Sequence, residues 1–175
     1  MRFNMNISKP SIDECAKFYN TYIELVNEPE LLLNSQIEKL KSLIGHLTEE
    51  ELLYKYSSDK WSIKTLIVHC IDKERIMAYR LLSIIRTEKS NLPGFDENVF
   101  ADESFADIRS ISSIMNEFQY LRLSNIELIK SLSTEQLEMV GSANNNIVSA
   151  RALVYIIVGH LEHHMNILIS RYLNK

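Results

Sequence analysis

Three of the chain's five histidines stand within five residues of one another near its end, in the segment GHLEHHMNIL. Imidazole nitrogens are common ligands of divalent metals in proteins. His160 and His164 are four residues apart, so a helix would place both rings over one patch of its surface, as two ligands of one ion require. At 100° per residue His163 falls toward the polar flank and is the weaker candidate. The spacing therefore predicts two metal ligands on this helix.

A two-histidine face is incomplete, and His69 is the candidate for the third ligand. It lies on the apolar stripe of an earlier helical pattern and has no evident local structural task. Three imidazoles from two helices would leave coordination positions open, as catalytic metal sites do. A core histidine held by a hydrogen bond is the alternative for His69. His46, beside an apparent helix end, is predicted to be a capping or surface residue.

The segment does not match two common metal motifs. It is not the HExxH of zinc proteases, because Leu161 follows His160 and Glu162 points away from the shared face. The Glu-x-x-His motif of di-iron bundles is also absent.

Groups that would assist catalysis are less clearly indicated, and the catalytic residues stay open. In the loop PGFDE, Asp96 and Glu97 could act as a base or accept a hydrogen bond from an imidazole. The alternative for this acidic loop is simple solvation. Arg80, three turns beyond His69 on the same face, could hold an anionic substrate group or form a structural salt bridge.

The rest of the chain must position these residues, and its pattern is helical almost throughout. Four glycines and three prolines near apparent joints favour long helices over a sheet. Apolar spacing predicts a first helix from Ser11 to Pro29, then long helices over 30–45, 62–87, 107–131 and 148–173, with short pieces near 48–52 and 133–141. A polar loop, SANNN, precedes the last helix. The prediction is an all-α four-helix bundle with short accessory helices, forming a single domain over residues 1–175.

Composition restricts the partners and the compartment. The chain has 19 Lys and Arg against 23 Asp and Glu, a formal net charge of −4, and no basic stripe that would neutralise nucleic acid. No run of 18 apolar residues is present, and the segment MRFNMNISKPSIDEC lacks the apolar core of a signal peptide. These features predict a cytoplasmic protein without nucleic-acid or membrane partners. Cys15 and Cys70 form no CxxC motif and are predicted to be buried thiols.

Two longer segments resemble the signature segments of a known family. YKYSSDKWSIKTLIVHCIDKERIMAYR and NNNIVSARALVYIIVGHLEHHMNIL, with LPGFDEN between them, are similar to those of the DinB/YfiT-like superfamily, and the resemblance extends from about residue 10 to the end. It implies a four-helix bundle, often a homodimer, that binds a divalent ion such as zinc or nickel. The implied ligands fall on His69, His160 and His164.

The resemblance also implies an activity. What it implies is a metal-dependent hydrolase, or a metal-dependent S-transferase or isomerase that uses a low-molecular-weight thiol such as bacillithiol or mycothiol. The sequence therefore predicts a divalent-metal-dependent enzyme acting on a small molecule, with thiol S-transfer first and hydrolysis second. Both reactions suit a three-histidine metal site, because a cation lowers the pKa of a bound thiol or a bound water. The alternative is a non-enzymatic metal-binding or stress-response bundle. A role on damaged DNA is opposed by the acidic charge balance.

Overall fold

The computed structural model of the chain describes residues 7–174, so the first six residues and Lys175 of the predicted domain lie outside the described residues. In chain order the elements are α1 Asn20–Ile23, α2 Pro29–Ile44, α3 Glu49–Leu52, α4 Ile63–Ile85, α5 Glu97–Asp102, α6 Ile111–Lys130, α7 Thr134–Leu137, β1 Val140–Ala143, β2 Asn146–Ser149 and α8 Ala150–Ile167. Single 3-10 turns cover Lys17–Tyr19 and Ala106–Ile108, and α8 continues as a π-helical turn over Leu168–Leu173. Helices α2, α4, α6 and α8 pack against one another, which confirms the predicted four-helix bundle.

Serine side chains cap the N-termini of three of the four bundle helices. Ser62, Ser110 and Ser149 accept hydrogen bonds from the backbone N–H groups three residues later, at the starts of α4, α6 and α8. Such caps satisfy donors that a helix leaves unpaired at its start. Pro29 is the first residue of α2, where its missing N–H costs nothing.

The predicted first helix, from Ser11 to Pro29, is wrong in length. Only the 3-10 turn and the four residues of α1 are helical there. Upstream, the Glu14 carboxylate accepts hydrogen bonds from Arg151 and Ser149, and the Glu14 carbonyl accepts one from the backbone N–H of Ser149. These contacts with the start of α8 replace the local helix that the apolar spacing favoured.

The predicted SANNN loop is the tip of a β-hairpin. Strands β1 and β2 are antiparallel, with Ala143 opposite Asn146, so Asn144 and Asn145 form a two-residue turn. Both have positive φ, 51° and 59°, as a type I′ hairpin turn requires, and asparagine tolerates that conformation. Val148 belongs to β2, and the last helix therefore begins two residues later than predicted.

A polar layer crosses the middle of the bundle between two apolar clusters. One cluster fills the end that holds Val154 and Leu81, and the other fills the end that holds Ile67 and Leu168. Between them, each bundle helix contributes buried polar side chains: Gln36, His69, Lys73, Glu74, Arg122, Asn125 and His160. The metal-ligand candidates are thus part of a layer that the apolar core encloses on both sides.

The last helical segment, Ala150–Leu173, is long and apolar enough to cross a membrane by length and composition. However, 72% of its most apolar window is buried inside the fold. That burial is typical of the core helix of a soluble protein.

Gly159 is expected to be intolerant of any side chain. A Cβ atom at this position would lie 2.2 Å from the carbonyl oxygen of Tyr22, which is backbone and cannot rotate away. We expect Gly159→Ala to lower the free energy of unfolding by about 2–3 kcal/mol, although alanine is the better helix former. Urea denaturation measures this, and Asn166→Ala, an exposed position on the same helix, is the control. An unchanged midpoint for Gly159→Ala would contradict the close packing.

Candidate metal centre

The structure brings His69, His160 and His164 together in the polar layer. His69 lies in the first half of α4, and the other two lie one turn apart on α8, which packs against it. Nε2 of His160 is 3.0 Å from Nε2 of His69 and 3.1 Å from Nε2 of His164. One ring nitrogen from each of the three residues lies within 4.8 Å of the others, and all three residues are buried.

Hydrogen bonding alone does not explain this arrangement. A ring nitrogen carries either one N–H or one lone pair in the ring plane, so Nε2 of His160 can bond only one of its two neighbours. Nδ1 of His164 is buried and has no hydrogen-bond partner among the described residues. Three convergent Nε2 atoms are the donor set that a divalent cation takes. Tetrahedral ligands about 2.0–2.1 Å from zinc are about 3.3 Å apart, close to the observed spacing.

Burial keeps these imidazoles in the neutral form that a metal needs. Desolvation lowers the pKa of His69 to about 4. It also lowers the pKa values of His160 and His164 well below the ordinary range, and the neighbouring imidazoles add to the effect. Metal ligation by histidine requires a deprotonated nitrogen, so no proton has to be displaced near neutral pH.

Aromatic rings fix the histidines from two sides. The Trp61 ring lies 4.6 Å from the ring of His69, and the Tyr22 ring meets that of His160 edge-on at 5.3 Å. Tyr172, in the π-helical turn, donates a hydrogen bond of 2.8 Å to the carbonyl of Trp61. Tyr172 thereby holds the segment around Trp61 against the helical turn that follows α8.

A surface cavity of about 280 Å³ opens onto His164. Aromatic side chains and a few polar groups line it: Tyr56, Asp59, Lys60, Trp61, Asn98 and Tyr172. A mostly apolar cavity with a few polar groups is the usual form of a small-molecule site. The cavity has the size for a small ligand in contact with the histidine cluster.

His163 lies at the edge of the cluster, as its helical angle predicted. It is partly exposed, and its ring lies 5.2 Å from those of both Tyr22 and His164. Both cysteines are buried as predicted. Burial raises the pKa of Cys15 to about 11 and raises that of Cys70 further. Neither thiol is therefore a ready nucleophile.

Glu97 lies beside the cluster, and it is joined there by a residue that the sequence reasoning missed. Lys73, one turn beyond His69 on α4, is 4% exposed and forms an ion pair with the Glu97 carboxylate. The charge of Glu97 raises the pKa of His69, whereas Lys73 lowers it. Asp96, in contrast, caps α5 by accepting hydrogen bonds from two backbone N–H groups. The sequence feature that could have indicated Lys73 is its position, as a charged residue, on an otherwise apolar stripe of α4.

Arg80 is not brought to the histidines. It lies eleven residues beyond His69 on α4, about 16 Å along the helix axis. It lines a separate small cavity, with Tyr19 and the turn of the β-hairpin. His46 is exposed just beyond α2.

Comparison with known proteins shows which family and which proteins this chain is similar to. The sequence model of the DinB superfamily matches residues 32–168. A protein of Oceanobacillus iheyensis named "Putative metal-dependent hydrolase" is 26% identical over 145 residues, which cover 82% of this chain and 83% of that protein. Among solved structures, YfiT from Bacillus subtilis, described as a probable metal-dependent hydrolase with an unusual four-helix bundle topology, matches with a TM-score of 0.72 and 18% identity. The match covers 78% of this chain and 79% of that one.

Proposed function

This chain belongs to the DinB superfamily, as its signature segments predicted, and from that premise we propose that it is a divalent-metal-dependent enzyme acting on a small molecule. His69, His160 and His164 are the proposed ligands. The observation that carries the proposal is the convergence of three buried, neutral imidazoles at the edge of a surface cavity. The names of the relatives support a metal-dependent reaction.

Hydrolysis is the first candidate reaction, because the descriptions of the two relatives are "Putative metal-dependent hydrolase" and "probable metal-dependent hydrolase". A divalent ion at this site would lower the pKa of a bound water or thiol and polarise an electrophile. The chain's own residues bind and orient the substrate. Trp61, Tyr56 and Tyr172 offer apolar walls for it, and Asn98 offers an amide at the rim.

Thiol S-transfer is the second candidate, and the cavity rim favours it. Asp59 and Lys60, which form an ion pair with each other at 2.8 Å, place both charges beside the aromatic walls, where a small thiol with amino and carboxyl groups could exchange for one partner of the pair. The thiol must come from outside the chain, because both cysteines are buried with raised pKa values. The proposed protein contribution is again binding and orientation.

Glu97 is the proposed proton acceptor, and Lys73 positions it. The carboxylate side chain is 43% exposed, so it can exchange protons with solvent, whereas the lysine is buried. The Lys73 ammonium lies 4.9 Å from the Phe95 ring centroid and 5.5 Å from that of Tyr19, which restricts where it can move. The ion pair thus holds the start of α5 beside the histidine cluster.

Glu97→Gln and Lys73→Met are expected to lower kcat by about 100-fold each while leaving metal content unchanged. A positioned acid or base typically contributes 10²–10⁴-fold. The double variant should be little worse than either single one, because the two groups act as a unit. Steady-state kinetics with metal analysis of each variant measure this, and Glu103→Gln, an exposed carboxylate just past α5, is the control. Multiplicative losses in the double variant would contradict the coupling.

The reaction itself is tested by comparing metal-loaded with chelator-stripped protein on esters, amides and alkylating electrophiles, with and without L-cysteine or bacillithiol. Metal-dependent turnover without a thiol supports hydrolysis. Turnover that requires the thiol supports S-transfer. If neither appears although the metal binds, the enzyme proposal is wrong and a non-enzymatic metal-binding bundle is the better description.

A further inference from the structure

Arg80 is a buried cation whose hydrogen bonds are largely unmet. The residue is 3% exposed. Its Nη2 donates to the carbonyl of Pro93 at 2.7 Å, and its Nη1 faces the sulfur of Met77 at 3.9 Å, a weak acceptor. Its Nε is buried without a hydrogen-bond partner among the described residues. A guanidinium has five N–H donors, so one strong acceptor leaves most of them unsatisfied.

The charge of Arg80 is also uncompensated. None of the ion pairs among residues 7–174 includes Arg80. Arg122, which is equally buried, shows the usual solution, a two-point pairing with Glu74. Arginine stays protonated at any ordinary pH, and buried charges are paired in stable proteins. The counter-charge for Arg80 is therefore not among the carboxylates of residues 7–174.

Arg80 lines a small cavity between α4, the β-hairpin and the N-terminal segment. Tyr19, Asn144, Asn146 and Leu153 are among the other residues around it. The cavity volume is about 10 Å³, which is the space of about one water-sized particle. A phosphate or an organic acid is too large for this volume. A neutral water in this cavity would leave the charge of Arg80 unpaired.

We propose that this cavity is a binding site for a halide-sized inorganic anion, chloride, held by the Arg80 guanidinium. The site is separate from the histidine cluster, and it joins three parts of the fold: α4, the loop at Pro93 and the hairpin turn. Binding there stabilises the folded state, since the unfolded chain has no such site. The proposal is independent of the proposed enzymatic function.

The test compares thermal unfolding of the metal-loaded protein in sodium chloride, sodium bromide and sodium gluconate at equal ionic strength. Gluconate is too large for the cavity. We expect Tm to be higher by roughly 3–10 °C in chloride or bromide at 10 to 100 times Kd. Arg80→Met should abolish the difference between the salts, and Arg86→Met, which removes an exposed arginine at the end of α4, should retain it.

Anomalous diffraction from bromide-soaked crystals of the unmodified protein tests the site even if Arg80→Met does not fold. An anomalous bromide peak within hydrogen-bonding distance of the Arg80 guanidinium supports the site. The proposal is overturned if Tm does not differ between chloride and gluconate. It is likewise overturned if no anomalous peak lies beside Arg80, which is the result for a cavity that holds only water. Halide bound at the histidine cluster is recognised by its persistence in Arg80→Met.

Discussion

Replacing His164 with alanine is expected to lower the affinity of the protein for divalent metal by more than about 100-fold while the bundle stays folded. The change removes one of three convergent Nε2 donors, and even partners outside the ligand sphere are worth 10–100-fold in metal sites. The imidazole that is lost has no hydrogen bond at Nδ1 among the described residues, so its removal breaks no structural bond there. Metal analysis of protein purified without an affinity tag, followed by chelator competition, measures the change.

His163→Ala is the matched control, because this histidine is adjacent in sequence but lies at the edge of the cluster. It should retain full metal content. His69→Ala should behave like His164→Ala, although the residue belongs to a different helix. If His69→Ala and His164→Ala both keep their metal, the proposed site is wrong, whatever activity the protein has. Circular dichroism separates metal loss from unfolding in each variant.

The grouping of the three histidines could be predicted because it depends on local helical periodicity. His160 and His164 share a face for the reason that any residues four apart on a helix do. His69 could be placed because it interrupts an otherwise apolar stripe, and facing helices of a bundle bring such stripes together. The sequence did not show how close the ring nitrogens come, because that depends on how tightly α4 and α8 approach each other.

The surrounding charged residues could not be paired from sequence. Lys73 and Glu74 are visible as charges in an apolar stripe, but their partners lie 24 and 48 residues away along the chain. The sequence also could not show whether Arg80 has an ion-pair partner. A salt bridge was one expectation, and the structure provides none among the described residues. Periodicity shows that a charge faces the core, and only the packing shows what neutralises it.

The predictions for the N-terminal segment and for the SANNN loop were wrong for a related reason. The predicted helix from Ser11 is locally plausible, but the contacts of Glu14 with Arg151 and Ser149 are worth more than a short, isolated helix. In the hairpin, two consecutive asparagines adopt the left-handed conformation that a type I′ turn requires. Both segments take their structure from partners far away along the chain or across the turn.

Glu74→Ala is expected to have the largest effect on stability, a loss of about 3–5 kcal/mol in the free energy of unfolding. Glu74 and Arg122 are both about 2% exposed at the side chain and are joined by bonds of 2.9 and 2.7 Å. Truncation of the glutamate leaves the Arg122 guanidinium buried without a carboxylate, and it deprives Asn125 of its acceptor at 3.1 Å. Urea denaturation followed by circular dichroism measures the loss. Arg75→Met, which removes an exposed ion-pair partner next to Glu74 in the sequence, should cost less than about 1 kcal/mol.

The double variant Glu74→Leu with Arg122→Met separates charge from packing. If the loss comes from an unpaired buried charge, removing both charges should restore most of the stability, because apolar side chains of similar volume often replace a buried ion pair without cost. The guanidinium also donates to the Leu33 carbonyl and to Gln36, whose amide in turn donates to the carbonyl of Val158 on α8. If the double variant stays as unstable as Glu74→Ala, these bonds between helices, and not the charge pairing, hold the polar layer together. In that case the same bonds fix the position of α8, and with it the spacing of the histidines.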